Sequence, residues 1–174
     1  LAPLEVEAQP DEEADVNLPV PQEFNGSTTT LLSIVRAFFD GDNIRYQLHS
    51  KEDSELFTTY LTGKAGTYKI YVEVKEAQTR VIVYTESPVK CPAHRLSLAA
   101  EYLMRVNFSL ILGNFEIDWR DGEVRYRQGV DMEGSVHSVG MVRQLVMIPS
   151  STMDRFFPGL MDVIYGGRPP IEAY

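Results

Sequence analysis

Residues 107–130 read NFSLILGNFEIDWRDGEVRYRQGV and contain the clearest structural signal in the chain. The pattern is typical of the end of a helix, followed by a strand, a tight turn at Asp121-Gly122 and a second strand. An Asp-Gly pair between two alternating runs is a strong β-hairpin signal. The stretch therefore predicts antiparallel β structure next to a helix, and it contains no catalytic motif.

The residues before this hairpin predict one helix and four strands. Threonines 28–30 offer N-cap oxygens for a helix over 31–40, whose apolar residues recur every three or four positions. The runs predicted as strands cover residues 44–48, 56–61, 67–74 and 80–85. Short polar breaks separate neighbouring runs, which favours an antiparallel meander.

Helices are predicted on both sides of the hairpin. Pro92 suits the first turn of a helix over 93–106, which ends at Asn107 in a left-handed exit. After the hairpin, a third helix is predicted to end at Pro149. Ser151 and Asp154 resemble the capping box of a last helix. The order α-β-β-β-β-α-β-β-α-α predicts an α+β fold, with an antiparallel sheet of about five or six strands and helices packed on one face.

Charge divides the chain into an arm and a body. The net charge is -9, yet residues 1–26 hold seven acids, four of the ten prolines and no Lys or Arg. This composition predicts a disordered acidic arm over 1–26 and a single domain over 27–174. The nearly neutral body argues against sequence-independent nucleic-acid binding, so no nucleic-acid partner is expected.

Composition also bears on the compartment. Apolar runs are too short for a membrane span, and no secretory signal opens the sequence. One cysteine cannot form an intramolecular disulfide and is compatible with a reducing compartment. A cytoplasmic location is expected. Because the sequence begins at Leu1 rather than Met, a plastid stroma is the expectation if a transit peptide was removed.

Particular residues of the second half resemble the YbjN family, whose members share the fold of type III secretion chaperones. The similar residues are the helix end at Asn107, the strand 113–118, the turn and strand 121–127, and the later MDRFFP at 153–158. The resemblance implies a small chaperone-like or regulatory α/β protein, often without known catalytic activity. It also implies binding of extended client segments, usually by dimers, and it transfers no catalytic residues or cofactors.

Two groups of residues have the composition of a chemical site. Glu116, Asp118 and Glu123 lie near Arg125 and Arg127, so cross-strand ion pairs are favoured over a metal or acid–base site. Cys91 and His94 are spaced like half a zinc site, but no second pair exists, and an ordinary helix start is favoured. A nucleophilic Cys91 would need His49, His94 or His137 nearby, which nothing in the sequence indicates. No catalytic residue, metal site or cofactor is therefore expected, and the protein is not expected to be an enzyme.

The leading hypothesis is a non-enzymatic, chaperone-like or regulatory domain that binds a partner polypeptide, with a homodimer as one arrangement. The alternative is a ligand-sensing regulatory domain with a small pocket between helices and sheet; an unrecognised enzyme ranks last. Strand aromatics fit a pleated surface, but an exposed sheet face bearing them also suits a partner or single-stranded nucleic acid. The residues predicted to bind the partner are Tyr71, Trp119, Phe156 and Phe157. The apolar residues around the last two also suit a simple core.

Overall fold

The computed structural model of the protein describes residues 30–174. Its sheet contains six strands: β1 (Gln47–Ser50), β2 (Glu55–Thr62), β3 (Thr67–Lys75), β4 (Arg80–Glu86), β5 (Asn114–Ile117) and β6 (Val124–Asp131). Its helices are α1 (Leu31–Gly41), α2 (Leu96–Ser109), α3 (Val139–Ile164) and the short α4 (Pro170–Ala173), and single 3-10 turns cover Glu76–Gln78 and Ala93–Arg95. The order of elements confirms the predicted α+β fold. The predicted arm over 1–26 lies outside the described residues.

All strand pairs are antiparallel, in the order β1-β2-β3-β4-β6-β5. Strands β1 to β4 form the predicted meander. The chain then leaves the sheet through α2, places β5 at the far edge, and returns through the hairpin so that β6 lies between β4 and β5. The hairpin therefore completes the sheet, as the opening stretch of sequence predicts.

The helices cover one face of the sheet. On β3, Tyr68, Ile70, Val72 and Val74 are buried beneath them, whereas the alternating residues point to the other face. Helix α3 contacts β3, β4 and β6, and α2 contacts β5. Burying one Val or Ile side chain contributes about 1.5–3 kcal/mol, so this alternation sets which face packs. The face opposite the helices carries no helix among the elements of residues 30–174.

Helix α3 corrects the expectation that Pro149 ends a helix. Pro149 and Pro158 both lie inside one continuous helix of 26 residues. A proline in a helix interior costs about 3 kcal/mol, because it removes a hydrogen bond and crowds the preceding turn. Ten buried residues along α3, Pro149 among them, outweigh that cost. The helix begins at Ser138, whose Oγ accepts a hydrogen bond from the Met141 N–H at 3.2 Å, so Ser151 is not the cap.

The hairpin loop is longer than the predicted two-residue turn. The Asp118 N–H donates to the Glu123 carbonyl, and the Gly122 N–H donates to the Asp118 carbonyl, both at 2.8 Å. Gly122 has a φ of 74°, and a Cβ there would overlap the Cys91 carbonyl oxygen. The Cys91 N–H also donates to the Gly122 carbonyl at 2.7 Å. Glycine is therefore required at this position, which joins the hairpin to the loop before α2.

Asn107 is not a left-handed helix exit, because it lies within α2. Its side-chain amide instead pairs with the backbone of edge strand β5. Asn107 Oδ1 accepts the Phe115 N–H at 2.7 Å, and Asn107 Nδ2 donates to the Phe115 carbonyl at 3.1 Å. These bonds satisfy backbone groups that an edge strand would otherwise leave open. The helix end thus covers the β5 edge of the sheet.

Candidate interaction surfaces

The open face of the sheet carries a row of aromatic and charged side chains. Cross-strand pairing places Tyr71 beside Tyr84, and each ring has a cation above it. Lys69 Nζ lies 4.9 Å from the centre of the Tyr71 ring, and the Arg125 guanidinium lies 4.7 Å from that of Tyr84. The Tyr71 hydroxyl donates to Glu86 at 3.0 Å. Burial and the Glu86 carboxylate raise the pKa of Tyr71, whereas Lys69 lowers it.

The carboxylates of Glu116 and Asp118 form ion pairs. Glu116 binds Arg125 at 2.8 Å and Arg127 at 2.7 Å across the hairpin, which confirms the predicted cross-strand pairing for Glu116 but not for Asp118. Asp118 binds Arg120 at 2.6 Å, and hydrogen bonds from that arginine hold the pKa of Asp118 at about 2. Within residues 30–174, no group of three or more His, Cys, Asp or Glu is arranged to hold a metal ion. These acids stabilise the hairpin locally.

Cys91 is buried and lies against the backbone. Its Sγ is 3.6 Å from the Pro92 carbonyl oxygen, and burial raises the pKa of the thiol. A raised pKa lowers the thiolate fraction, which is the reactive form. His137 Nε2 lies 2.8 Å from the Met132 carbonyl oxygen. The geometry around Cys91 offers no activated nucleophile among the residues that the structure describes.

The four residues predicted to bind a partner lie in three different places. Tyr71 is on the open face, and Trp119 is 60% exposed in the hairpin loop. Phe157 is buried on the helix side, 5.8 Å from the ring of Tyr68 in an edge-to-face contact. Phe156 is half-buried on the same side and contacts Phe115. The sheet separates Tyr71 from the two phenylalanines, so the four do not form one surface.

Sequence reasoning did not single out a group of exposed apolar residues that are close together in the chain. We call it the apolar corner, and it consists of Met104, Phe108, Ile111 and Leu112, at the end of α2 and in the loop before β5. Phe108 is 95% exposed, Ile111 97% and Met104 68%. Met104 and Phe108 are one helical turn apart, so they share one face of α2. The available signal was the apolar run Leu110-Ile111-Leu112.

The apolar corner is held in place by the elements beneath it. The Tyr126 hydroxyl donates to the Leu112 carbonyl, and Asn107 joins α2 to β5 directly below. On α2, Arg105 binds Glu101 at 2.7 Å and supplies a charged border. The corner thus combines exposed apolar side chains with a fixed backbone.

A second concave surface lies at the opposite edge of the sheet. We call it the β2 groove; its volume is ≈ 810 Å³, and it lies between the α1–β1 loop and the open face of β1 to β3. Tyr46, Tyr60 and Tyr71 line it together with Arg45 and Lys69. It is not the pocket between helices and sheet that the alternative hypothesis expects.

Together these features define a class of α+β proteins with one helix-covered and one open sheet face. A family model matches residues 32–161, that of YbjN, described as "Putative bacterial sensory transduction regulator". The match spans well over half of the chain, and the protein belongs to the YbjN family. This confirms the resemblance drawn from the hairpin residues.

Solved structures that match this chain include that of YbjN, "a putative transcription regulator from E. coli". It is 13% identical, covers 76% of this chain and 87% of its own, and has a TM-score of 0.48. The HopA1-SchA chaperone–effector complex contains a chain that is 15% identical, covers 71% of this chain and 89% of its own, and has a TM-score of 0.41. No curated protein matches the sequence.

Within residues 30–174, none of the helices has the length and apolar character that crossing a membrane requires.

Proposed function

We propose that this protein is a non-enzymatic interaction domain, chaperone-like or regulatory, that binds a partner polypeptide through its apolar corner. The supporting observation is the exposure of Met104, Phe108, Ile111 and Leu112 on a fixed backbone. Together these side chains present on the order of 500 Å² of apolar surface, within the range of the largest patches on monomeric proteins, which are often functional. Burying such a patch against a partner removes it from water and drives association.

The rim of the corner suits recognition of a polypeptide. Apolar anchors surrounded by polar groups are the usual anatomy of a protein contact surface. Glu101 and Arg105 are half-exposed beside Met104 and Phe108. An apolar segment of a partner would pack on Phe108 and Ile111 while its polar groups meet this border. Tyr71 and Trp119 remain proposed secondary contacts, on the open face and at the hairpin tip.

The proposal is tested by affinity capture from native lysate, read by mass spectrometry. The variant Phe108→Ser/Ile111→Ser removes the two most exposed side chains of the corner. The control Val136→Ser/Met147→Ser makes a similar change at exposed apolar positions elsewhere. We expect the wild type and the control to recover the same few proteins, and the corner variant to lose them. Equal recovery by all three proteins, or recovery by none, would refute the proposal.

The secondary contacts need separate variants because burial differs among them. Tyr71→Ala and Trp119→Ala remove side chains that are at least partly exposed, so their folds are expected to survive. Phe157→Ala would remove core packing worth about 3–5 kcal/mol and would not isolate a contact. Size-exclusion chromatography with light scattering distinguishes a homodimer from capture of another protein.

A ligand-sensing domain is the second candidate, with the β2 groove as its site instead of a pocket between helices and sheet. Its volume of ≈ 810 Å³ lies within the range of small-molecule sites, and three tyrosines supply apolar area. A specific ligand would raise the melting temperature of the wild type, and would raise that of Tyr60→Ala by less.

We also propose a cytoplasmic location, with which the buried cysteine is compatible.

A further inference from the structure

The β2 groove contains an unpaired strand edge. Strand β1 pairs only with Glu55–Thr58 of β2, although β2 continues to Thr62. Along Thr59–Thr62, β2 has a strand partner on one side only, which is β3, among the strands that the structure describes. Thr59 Oγ1 donates to the Arg45 carbonyl at 2.6 Å, which ties the α1–β1 loop to the near end of this edge. An open edge beside a groove is the usual acceptor of an extended polypeptide segment.

The groove is also positively charged in a protein of net charge -9. Its lining includes Arg45 and Lys69, and no Asp or Glu is among the described residues that line it. Within residues 30–174, Arg45 and Lys69 make no salt bridge, whereas eight other cationic side chains do. A groove of this charge favours an acidic occupant.

The sequence of the N-terminal arm has the complementary features. Four acids lie within residues 11–15, and VNLPVP follows at 16–21 with apolar Val16, Leu18 and Val20 at alternate positions. In an extended strand, successive backbone N–H groups point to opposite edges. Pro19 and Pro21, which lack an N–H, therefore both face the same edge, and the N–H groups of Leu18 and Val20 face the other. Such a segment can pair along one edge only, as an edge strand does.

The chain between the arm and α1 is long enough for the arm to reach the β2 groove. Its last residue before α1 is Thr30, and the N–H groups of Leu31 and Leu32 are held by the Glu76 carboxylate at 2.9 and 3.0 Å. The groove begins at Asn43, just past the other end of α1, roughly 16 Å away for an eleven-residue helix. Residues 25–29 can span about 17 Å when extended, so Phe24 can reach the near end of the groove.

We propose that residues 11–24 of the arm dock within the same chain into the β2 groove. Val16, Leu18 and Val20 pair with the open edge of β2, and the acids at 11–15 lie near Lys69 and Arg45. Tethering by a short linker gives an effective concentration of about millimolar, so each contact need contribute little. This contact is separate from the apolar corner and does not depend on the proposed partner.

The proposal is tested on the full chain by paramagnetic broadening of amide signals. A spin label is attached at Ala14→Cys; the native Cys91 is buried, so the introduced thiol reacts. We expect loss of the amide signals of Tyr60 and Lys69, and no loss at Phe108. In Arg45→Glu/Lys69→Glu these signals should return. In the control Arg36→Glu/Arg95→Glu, which makes the same charge change outside the groove, they should stay lost.

Three results would overturn the proposal. The first is the absence of broadening at the groove in the labelled wild type. The second is equal broadening in the groove variant and the control. The third is broadening in a mixture of isotope-labelled protein without a spin label and spin-labelled protein without isotope, because that result assigns the contact to a second copy. None of these results bears on capture through the apolar corner, so the two proposals fail independently.

Discussion

Asp154 joins helix α3 to the β2–β3 turn, and its replacement tests how the helix layer is fixed to the sheet. Its carboxylate accepts the N–H groups of Lys64 at 2.9 Å and Ala65 at 2.7 Å, and the Tyr68 hydroxyl at 3.0 Å. A Cβ at Gly63 would overlap this carboxylate, so the turn is shaped around it. Hydrogen bonds to a charged group contribute about 1.5–3 kcal/mol each when well shielded, and less here because the site is half-exposed.

Asp154→Asn keeps one acceptor oxygen but points an NH₂ group at a backbone N–H. We expect the free energy of unfolding to fall by about 2 kcal/mol at pH 7. For a chain of this length, this corresponds to a melting temperature lower by about 4–8 °C. Urea denaturation of the full chain, followed by circular dichroism, measures the change.

The pH dependence of this difference provides a further check. Hydrogen bonds from the Ala65 and Lys64 N–H groups hold the pKa of Asp154 below its ordinary value. A lowered pKa means that the carboxylate stabilises the fold fully above the unfolded pKa, and loses that effect as the pH falls through the folded value. The difference in free energy of unfolding between the wild type and Asp154→Asn should therefore be constant above about pH 5. It should become smaller below about pH 4.

Asp162→Asn is the matched control on the same helix. Asp162 binds Arg168 at 3.1 Å with both side chains about half-exposed, so its loss should cost no more than about 0.5 kcal/mol. Two results would refute the conclusion that Asp154 fixes α3 to the β2–β3 turn. One is equal destabilisation by the two variants, and the other is a loss in free energy of unfolding for Asp154→Asn that is the same at pH 3 as at pH 7.

The remaining predictions concern the β5–β6 hairpin. Gly122→Ala combines a positive φ with overlap of the Cys91 carbonyl oxygen, so thermal denaturation should show a loss of more than about 3 kcal/mol. Gly134→Ala has a similar φ but open space, and should cost only about 1–2 kcal/mol; similar losses would contradict the steric explanation. Asn107→Ala leaves the Phe115 N–H without its acceptor, at a cost of about 1–3 kcal/mol. Hydrogen exchange at the Phe115 amide should then accelerate roughly tenfold or more. Unchanged exchange would contradict the conclusion that the Asn107 side chain protects the backbone of edge strand β5.

Much of the fold was predictable because it rests on local periodicity. Alternation in β3 and β4 identified the strands and their buried faces, and the three-and-four spacing in α1 identified its inner stripe. The helix around Pro149 was mispredicted because proline is a local breaking signal, whereas the burial that overrides it comes from distant elements. The prediction for Asn107 was wrong for a similar reason, since its partner is Phe115, on a strand eight positions later.

The candidate surfaces were less predictable than the fold. Aromatic residues on strands and turns are frequent contact residues, which is the basis of the prediction for Tyr71 and Trp119, and the structure leaves both at least partly exposed. Phe157 looks the same in sequence, yet it is buried against Tyr68. The apolar corner was overlooked because an apolar run at a helix end usually packs inward. Exposure depends on which neighbours cover a residue, and a single sequence does not contain that information.

By itself, the sequence determined the order of elements, the α+β class, the family and the separation of acidic arm from neutral body, since these follow from spacing, composition and short motifs. Tertiary structure alone decided that β6 lies between β4 and β5, that Asn107 and Asp154 bind distant backbone groups, and that the residues within 30–174 leave the apolar corner and the β2 groove exposed. The physical reason is the separation along the chain of the residues that interact. Periodicity acts over a few residues, whereas burial and hydrogen-bond partners are set by contacts between residues far apart in the chain.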